Sequence, residues 1–295
     1  MKVAVYTIAL NEEKFVEGWA KSAEQADVML VADTGSTDRT AEVCRDYGII
    51  CPEISVRPWR FDDARNAALC MIPADVDYCI VLDMDERLAP GWRAELERCH
   101  ALGFTRLRYI YVWSHNADGS NGSQFYRDGL HARHGYRWKH PVHEVLMVDR
   151  IEEVLLASEL TVHHYPDSTK SRAQYLDLLA QSVLEDPHDD RNAYYYAREL
   201  FFRGMKELAA SEFKRHLSLP RALWKPERAA SYRHLAKVEP QHAEKWLQKA
   251  IEEAPDRRES YVEMARLHYE NSRWTKCLAA AMAALKIEVR PLEYL

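Results

Sequence analysis

The stretch Tyr78-Cys-Ile-Val-Leu-Asp-Met-Asp-Glu86 constrains this chain more than any other. Residues 78–82 form a short apolar run rich in β-formers, the pattern of a strand buried on both faces. The next four residues hold Asp83, Asp85 and Glu86. Unpaired carboxylates cannot stay in such a core, so the chain is expected to leave the sheet there. In an open α/β sheet the carboxyl ends of strands are where ligands bind. Two carboxylates one residue apart at that edge suit a hard divalent cation with positions left for phosphate oxygens. Asp-x-Asp by itself is a weak signal. A second copy, Asp75-Val-Asp77, precedes the same strand and reads as a solvated turn.

The residues around it add weight. Lys2 to Leu10 reads as a strand that closes on Asn11-Glu12-Glu13, and Phe15, Trp19 and Ala23 then recur at helical spacing. Residues 27–32 form a second strand, ending in Asp33-Thr-Gly-Ser-Thr-Asp38. A helix over 40–47 follows, with Ser36 or Thr37 as its cap. Residues 48–56 supply a further short strand, and Phe61-Asp-Asp-Ala-Arg65-Asn66 opens a helix reaching about Met71. Strands alternating with helices imply an α/β, Rossmann-like domain on a mainly parallel sheet. The polar loops 11–13, 33–38 and 83–86 each follow a strand, so they gather at one edge. An ordinary turn accounts for Gly35 and Ser36 but not for an acid at the strand end, Asp33. Arg65 and Asn66, taken alone, read as a solvated helix face.

Asn11-Glu12-Glu13, Asp33-x-Gly-Ser-Thr-Asp38, Ala64-Arg-Asn66 and Leu82-Asp-x-Asp-Glu86, in this order, resemble a family 2 glycosyltransferase of the GT-A fold over roughly residues 1–165. The resemblance implies a nucleotide-sugar donor, a UDP-sugar foremost, and a Mn²⁺ or Mg²⁺ ion. It assigns Asp33 to the donor base and lines the nucleotide pocket with Thr7, Ala9, Asn11, Glu12 and Arg65. It sets Asp83 beside ribose and metal, and makes Asp85 the direct metal ligand. Elementary chemistry agrees. A sugar leaving a nucleoside diphosphate sheds a charged diphosphate, which a bridging divalent ion stabilises. Arg65 offers a forked, permanent cation.

A helix over 93–100, a strand over 104–113, a loop over 115–123 and a short return strand over 124–127 follow. Residues 130–144 are dense in basic and aromatic side chains, and in GT-A enzymes the acceptor binds here. Arg133, Arg137, Trp138 and His143 are the acceptor-region candidates. Glu144 resembles the general base of related sequences, with Asp128 as the runner-up; a structural ion pair is the competing reading for Glu144. His164, in Leu160-Thr-Val-His-His-Tyr165, resembles a metal-binding histidine of this fold, with His163 as the alternative because adjacent strand residues face opposite ways. A histidine beside carboxylates fits Mn²⁺ better than Mg²⁺.

After Pro166 the strand signals fade and helical periodicity takes over, which places a domain boundary there: 1–166 catalytic, 167–295 helical. Pro187, Pro220 and Pro255 mark a period near 34 residues, and helix pairs lie ahead of or between them: 171–184, 192–203 with 206–218, 227–238 with 241–253, 258–269 with 273–287. This half resembles tetratricopeptide repeats, which imply a partner protein or a homodimer. Tyr194, Tyr195, Tyr196, Phe201, Phe202 and Trp246 read as repeat core.

A net charge of −6 gives no global pull toward nucleic acid or anionic lipid. The N-terminus lacks a signal-peptide layout, no run is long enough to span a membrane, and the six cysteines lack paired spacing, so the expectation is a cytoplasmic protein with buried thiols. The lead expectation is a metal-dependent, inverting glycosyltransferase acting on a peptide side chain, glycan or small molecule; inversion follows from the resemblance. The alternatives are transfer to a modified base in DNA, suggested by the basic-aromatic cluster of 127–139, and a non-enzymatic repeat scaffold.

Overall fold

A computed structural model describes residues 1–149, 151–167 and 173–288, in two compact units divided between Lys170 and Ser171. Each is described by itself.

The first unit is built on a seven-stranded sheet of order β2-β1-β3-β6-β5-β9-β4. Its strands are β1 (Val3–Ala9), β2 (Val28–Asp33), β3 (Tyr78–Val81), β4 (Glu86–Leu88), β5 (Arg106–Val112), β6 (Gln124–Ala132) and β9 (Val154–His164). A separate hairpin pairs β7 (Tyr136–Lys139) with β8 (Val145–Val148). The sheet is mixed rather than mainly parallel. β2, β1 and β3 run parallel, but β6 enters antiparallel to β3 and β5, and β4 antiparallel to β9. The reason is connection length: the short 113–123 link turns β5 straight back into β6, which only antiparallel strands allow.

β1 lies at the centre of the parallel half, and its alternation feeds both faces. Val3, Val5 and Ala9 join one core with Trp19, Leu82, Leu96 and Leu107; Ala4 and Tyr6 join the other with Ala64, Cys79, Trp138 and Leu146. Helices α1 (Glu13–Ala23) and α4 (Trp92–Leu102) bury Val16, Trp19, Trp92 and Leu96 in the first core. Helix α3 (Phe61–Met71) and the β7–β8 hairpin fill the second, whereas α2 (Thr40–Asp46) adds Cys44 to the first. The Trp19 indole donates to the Leu82 carbonyl at 2.7 Å, which pins α1 to the point where β3 stops.

Local expectations fail in three places. Residues 48–56 make only two isolated bridges, Leu30 with Ile50 and Asp33 with Glu53, because Pro52 brings no N–H to a ladder. Neither Ser36 nor Thr37 caps α2, whose flanking residue is Arg39 without a side-chain cap; both side chains are drawn to Asn11 and Asp33 instead. The acids do not simply leave the core either, since Glu86 opens β4 and is 1% exposed.

The second unit is all helix among the described residues: α5 (Tyr175–Glu185), α6 (Asp190–Phe202), α7 (Lys206–Ser218), α8 (Lys225–Val238), α9 (Ala243–Glu253), α10 (Arg258–Glu270) and α11 (Trp274–Leu285). The first helices of successive pairs begin at Asp190, Lys225 and Arg258, about 34 residues apart. Ala197, Ala209, Ala229, Ala230 and Ala250 are buried where helices meet, and Tyr194 and Phe213 fill the core between them. Phe202 departs from the core expectation at 67% exposed. No described helix is long and apolar enough to cross a membrane.

Candidate active site

Parallel pairing brings the ends of β1, β2 and β3 to one edge. Ala9 is in register with Asp33, and the amide of Leu82 donates to the Tyr6 carbonyl at 3.1 Å. At the β1–β2 end the two polar loops are laced together. Asn11, at φ +54°, accepts at its side-chain carbonyl from the amides of Thr37 (2.7 Å) and Asp38 (3.3 Å), and its own amide donates to Ser36 Oγ at 2.8 Å. Ser36 donates from both amide and hydroxyl to Asp33 Oδ1, at 3.0 and 2.6 Å. Asp33 is buried, and among the described residues the hydrogen bonds to its carboxylate fall on that one oxygen. Glu12 is buried and its amide donates to Thr40 Oγ1 at 2.7 Å. The Ala9 carbonyl is taken by the amide and hydroxyl of Thr34, both at 2.9 Å. Asn11 and Ala9 therefore have these polar groups already spent on the loop.

At the end of β3 the charges interlock. Arg65, on α3 and 7% exposed, spans two carboxylates: Nη2 donates to Asp83 Oδ1 at 2.8 Å and Nε to Glu144 Oε1 at 2.5 Å. Thr7 Oγ1 lies 3.4 Å from the same Asp83 oxygen. Arg127 pairs with Glu86 and stands 3.9 Å from Asp83 Oδ2, while Tyr111 donates its hydroxyl to Glu86 Oε1 at 2.7 Å. The other Glu86 oxygen accepts from the Asp83 amide at 2.9 Å. Leaving Glu86 unpaired at this depth would cost several kcal/mol, which these donors offset. Burial works to raise the Asp83 carboxyl, but the nearby Arg65 and Arg127 charges outweigh it and hold the group below its ordinary value. Burial wins at Glu86, which is raised in spite of Arg127.

Asp85 faces His164, with Oδ2 and Nε2 at 3.4 Å, and its carbonyl accepts from the Tyr165 amide at 2.7 Å. His164 Nδ1 lies 3.2 Å from the Trp113 carbonyl, the kind of contact that fixes a ligating imidazole. Burial pulls His164 down, yet the bond and charge of Asp85 prevail and raise it. His163 points elsewhere, to His115 at 3.0 Å. Asp83, Asp85 and His164 do not form one tight ligand set: the Asp83 carboxylate is turned to the arginines. The pair that fits a divalent ion is Asp85 with His164, an oxygen and a nitrogen donor side by side.

The remaining candidates separate. Asp128 pairs with Arg108 at 3.1 Å and, as the strand neighbour of Arg127, sits on the opposite face of β6, away from the acids. Arg133 lies at the other end of β3, where it donates to the Ile72 carbonyl beside the Asp75–Asp77 turn. Arg137 is exposed and faces Asp149 at 3.4 Å. Trp138 is a core residue: its indole donates to Tyr6 Oη at 2.8 Å, its backbone is clasped by Asn66, and Arg65 lies over its ring at 5.3 Å. His143, at φ +52°, belongs to the turn that presents Glu144. Sequence reasoning assigned no role to Glu86, Tyr111 and Arg127 in this network. The one available signal was a third acid directly after Asp-x-Asp, which burial obliges to find a cation.

Residues 4–98 match the family described as glycosyl transferase family 2. A TPR repeat-containing protein of Synechococcus elongatus is 32% identical over 133 residues, 43% of this chain and 30% of that protein, so the chain spans under a third of this curated relative. Among solved structures, pilF of Pseudomonas aeruginosa aligns with a TM-score of 0.34 and 17% identity, over 39% of this chain and 52% of its own. Glucosyl-3-phosphoglycerate synthase of Mycobacterium tuberculosis, in complex with Mn²⁺, UDP and glucosyl-3-phosphoglycerate, aligns with a TM-score of 0.32 and 24% identity, over 37% of this chain and 44% of its own. The chain thus carries a glycosyl transferase family 2 domain at its N-terminal end, followed by a helical region of tetratricopeptide-repeat type.

Proposed function

We propose that the first unit transfers a glycosyl group from a nucleotide-sugar, a UDP-sugar foremost, to an acceptor bound over the Glu144 side of the acidic edge. The observation that carries this reading is the arrangement at the end of β3: Asp83 locked by Arg65 and Thr7, with Asp85 set beside His164. Asp85 and His164 would hold a divalent cation, Mn²⁺ suiting a mixed oxygen–nitrogen pair. Bound there, the ion supplies a Lewis acid for diphosphate charge. Asp33 would accept a ring N–H of the base beside the loops that Asn11 and Ser36 lace together. Arg65 positions Asp83 toward the ribose and keeps Glu144 oriented. For Glu144 to take a proton from the acceptor hydroxyl, Arg65 must shift part of its bond onto the incoming phosphates, so donor binding would free the base. The catalytic assignment covers residues 1–166 and the repeat region 167–295 would present an acceptor, a partner or a second copy. The DNA alternative loses its footing, because Arg133 and Arg137 lie on separate surfaces and Trp138 is core.

A thermal-shift screen of UDP, GDP and CDP and their sugars, each with Mn²⁺, Mg²⁺ or EDTA, tests the reading. A uridine nucleotide with Mn²⁺ should raise the melting temperature more than either alone. No shift with any nucleotide would return the chain to the scaffold reading.

The ion should also bind in a pH-dependent way. His164 is raised above its ordinary 6.5 by Asp85. The stability from the imidazolium–Asp85 pair is full below the unfolded value and lost as pH rises through the folded one. A cation needs the neutral ring, so Mn²⁺ affinity should climb over that same window. Calorimetric titration at about pH 6 and about pH 8 reads it. His164→Asn should bind weakly and flatten the dependence.

A further inference from the structure

The repeat region holds a polar cluster that the transferase reading does not use. Asp190 begins α6, His216 lies near the end of α7, and Glu227 is in the first turn of α8. Each can bring one ligand atom to within 4.8 Å of the other two. His216 is 0% exposed and Glu227 5%. His216 Nδ1 stands 2.8 Å from the Ser231 hydroxyl, itself fully buried. Nε2 faces Glu227 Oε1 at 3.4 Å, and among the described residues it makes no hydrogen bond to that oxygen or to any other atom.

That geometry is unfavourable without a positive charge. With Nδ1–H donating to Ser231, Nε2 is left as an acceptor 3.4 Å from one carboxylate, and Asp190 brings a second into the same cluster. Three acceptors then converge at a buried point with no donor among them. A proton on Nε2 would be expected to draw Glu227 into a hydrogen bond, and none is made. A separation near 3.4 Å is also about what two ligand atoms show around a tetrahedral ion with bonds of about 2.1 Å. The Ser231 contact supplies the outer bond that ligating histidines almost always have.

We propose that Asp190, His216 and Glu227 form a binding site for a first-row divalent cation of the Zn²⁺ class, distinct from the Asp85–His164 pair. The ion takes one imidazole nitrogen, two carboxylate oxygens and a water that enters past Asp190, the one half-exposed member. Its ligands come from three successive helices. The ion therefore fastens the α6/α7 pair to the next pair, the joint on which a repeat stack depends.

The test uses the full chain carrying Asp85→Ala, so that the transferase ion site is silenced. Zn²⁺ is titrated against a chromophoric chelator, and Co²⁺ is added separately to read its visible absorption. One equivalent of Zn²⁺ should bind, with intense tetrahedral Co²⁺ bands. Adding Asp190→Asn should weaken Zn²⁺ at least tenfold and remove the bands, and Ser231→Ala should weaken it about 10- to 100-fold. Both variants should melt as the parent does in EDTA, which separates ligand loss from the misfolding that His216→Ala risks. Absence of stoichiometric Zn²⁺ in the Asp85→Ala chain overturns the proposal. So does Zn²⁺ affinity that neither Asp190→Asn nor Ser231→Ala changes, since the ion then sits elsewhere and the cluster is a His216–Glu227 ion pair. Uridine nucleotide binding plays no part in either outcome.

Discussion

Asp85→Ala should lower glycosyl transfer by about 10³-fold, the several kcal/mol that a metal contributes to a leaving diphosphate. The substitution is structurally mild. Asp85 is held through its backbone, where the carbonyl accepts from Tyr165, so the turn persists without the carboxylate. The side chain faces His164, with Oδ2 and Nε2 at 3.4 Å, and among the described residues no arginine is paired with it to lose a counter-charge. Above the pH at which His164 gives up its proton, melting temperature without ligand should therefore change little. The Mn²⁺-dependent part of the nucleotide shift should vanish, while the metal-independent part, carried by the Asp33 pocket, remains. Turnover within roughly threefold of the parent, with an intact Mn²⁺ effect, would sink the metal role of Asp85.

Arg65→Met should be the most damaging single change to the first unit. It strands Asp83 and Glu144, both bound to the same guanidinium, at a site where that guanidinium is 9% exposed. Removing one partner of a buried ion pair costs about 3–5 kcal/mol, because the remaining charges lose their compensation. In a domain of this size that is a fall in melting temperature on the order of 10 °C. Arg65→Lys should recover part of the stability and little of the activity: it keeps a charge but cannot send parallel bonds to two carboxylates. A double change, Arg65→Met with Glu144→Gln, should be less destabilised than the sum of its parts, which a thermal double-mutant cycle measures. If Arg65→Met melts with the parent, the pairing at this edge contributes nothing to stability.

The parts legible in the sequence were those with short-range periodicity. Helix α7 is bounded at Lys206–Ser218 as the pattern predicts, and β1 and β3 fall on their apolar runs. The gathering of Asp33 and Asp83 at one edge followed from strand order alone. What failed depended on partners far along the chain. Whether β6 runs with β3 or against it is set by the β5–β6 turn far downstream, which no local pattern of residues 78–81 encodes. The choice between Arg127 and Asp128 is a matter of sheet register, and a one-residue shift exchanges them. Arg133 and Arg137 looked like one patch with Trp138 because they are close in sequence, but a strand end and a hairpin send them apart. The Glu86–Arg127 pair spans 41 residues and leaves only an unexplained buried acid as its trace.

The same network sets an order in time. The acidic turn at residues 83–86 leans on Tyr111, Arg127 and Glu144's partner Arg65, and its last support arrives with β9, where Glu86 pairs with His164. The matched family segment ends at residue 98, which includes Arg65 but stops before Tyr111, Arg127, Glu144 and β9. Contacts of such long sequence separation form slowly, since loop-closure entropy must be met before any reward. A chain released as far as residue 98 thus holds the residues of the motif without their geometry. Donor binding should appear in a single late step, when the strand carrying His164 docks.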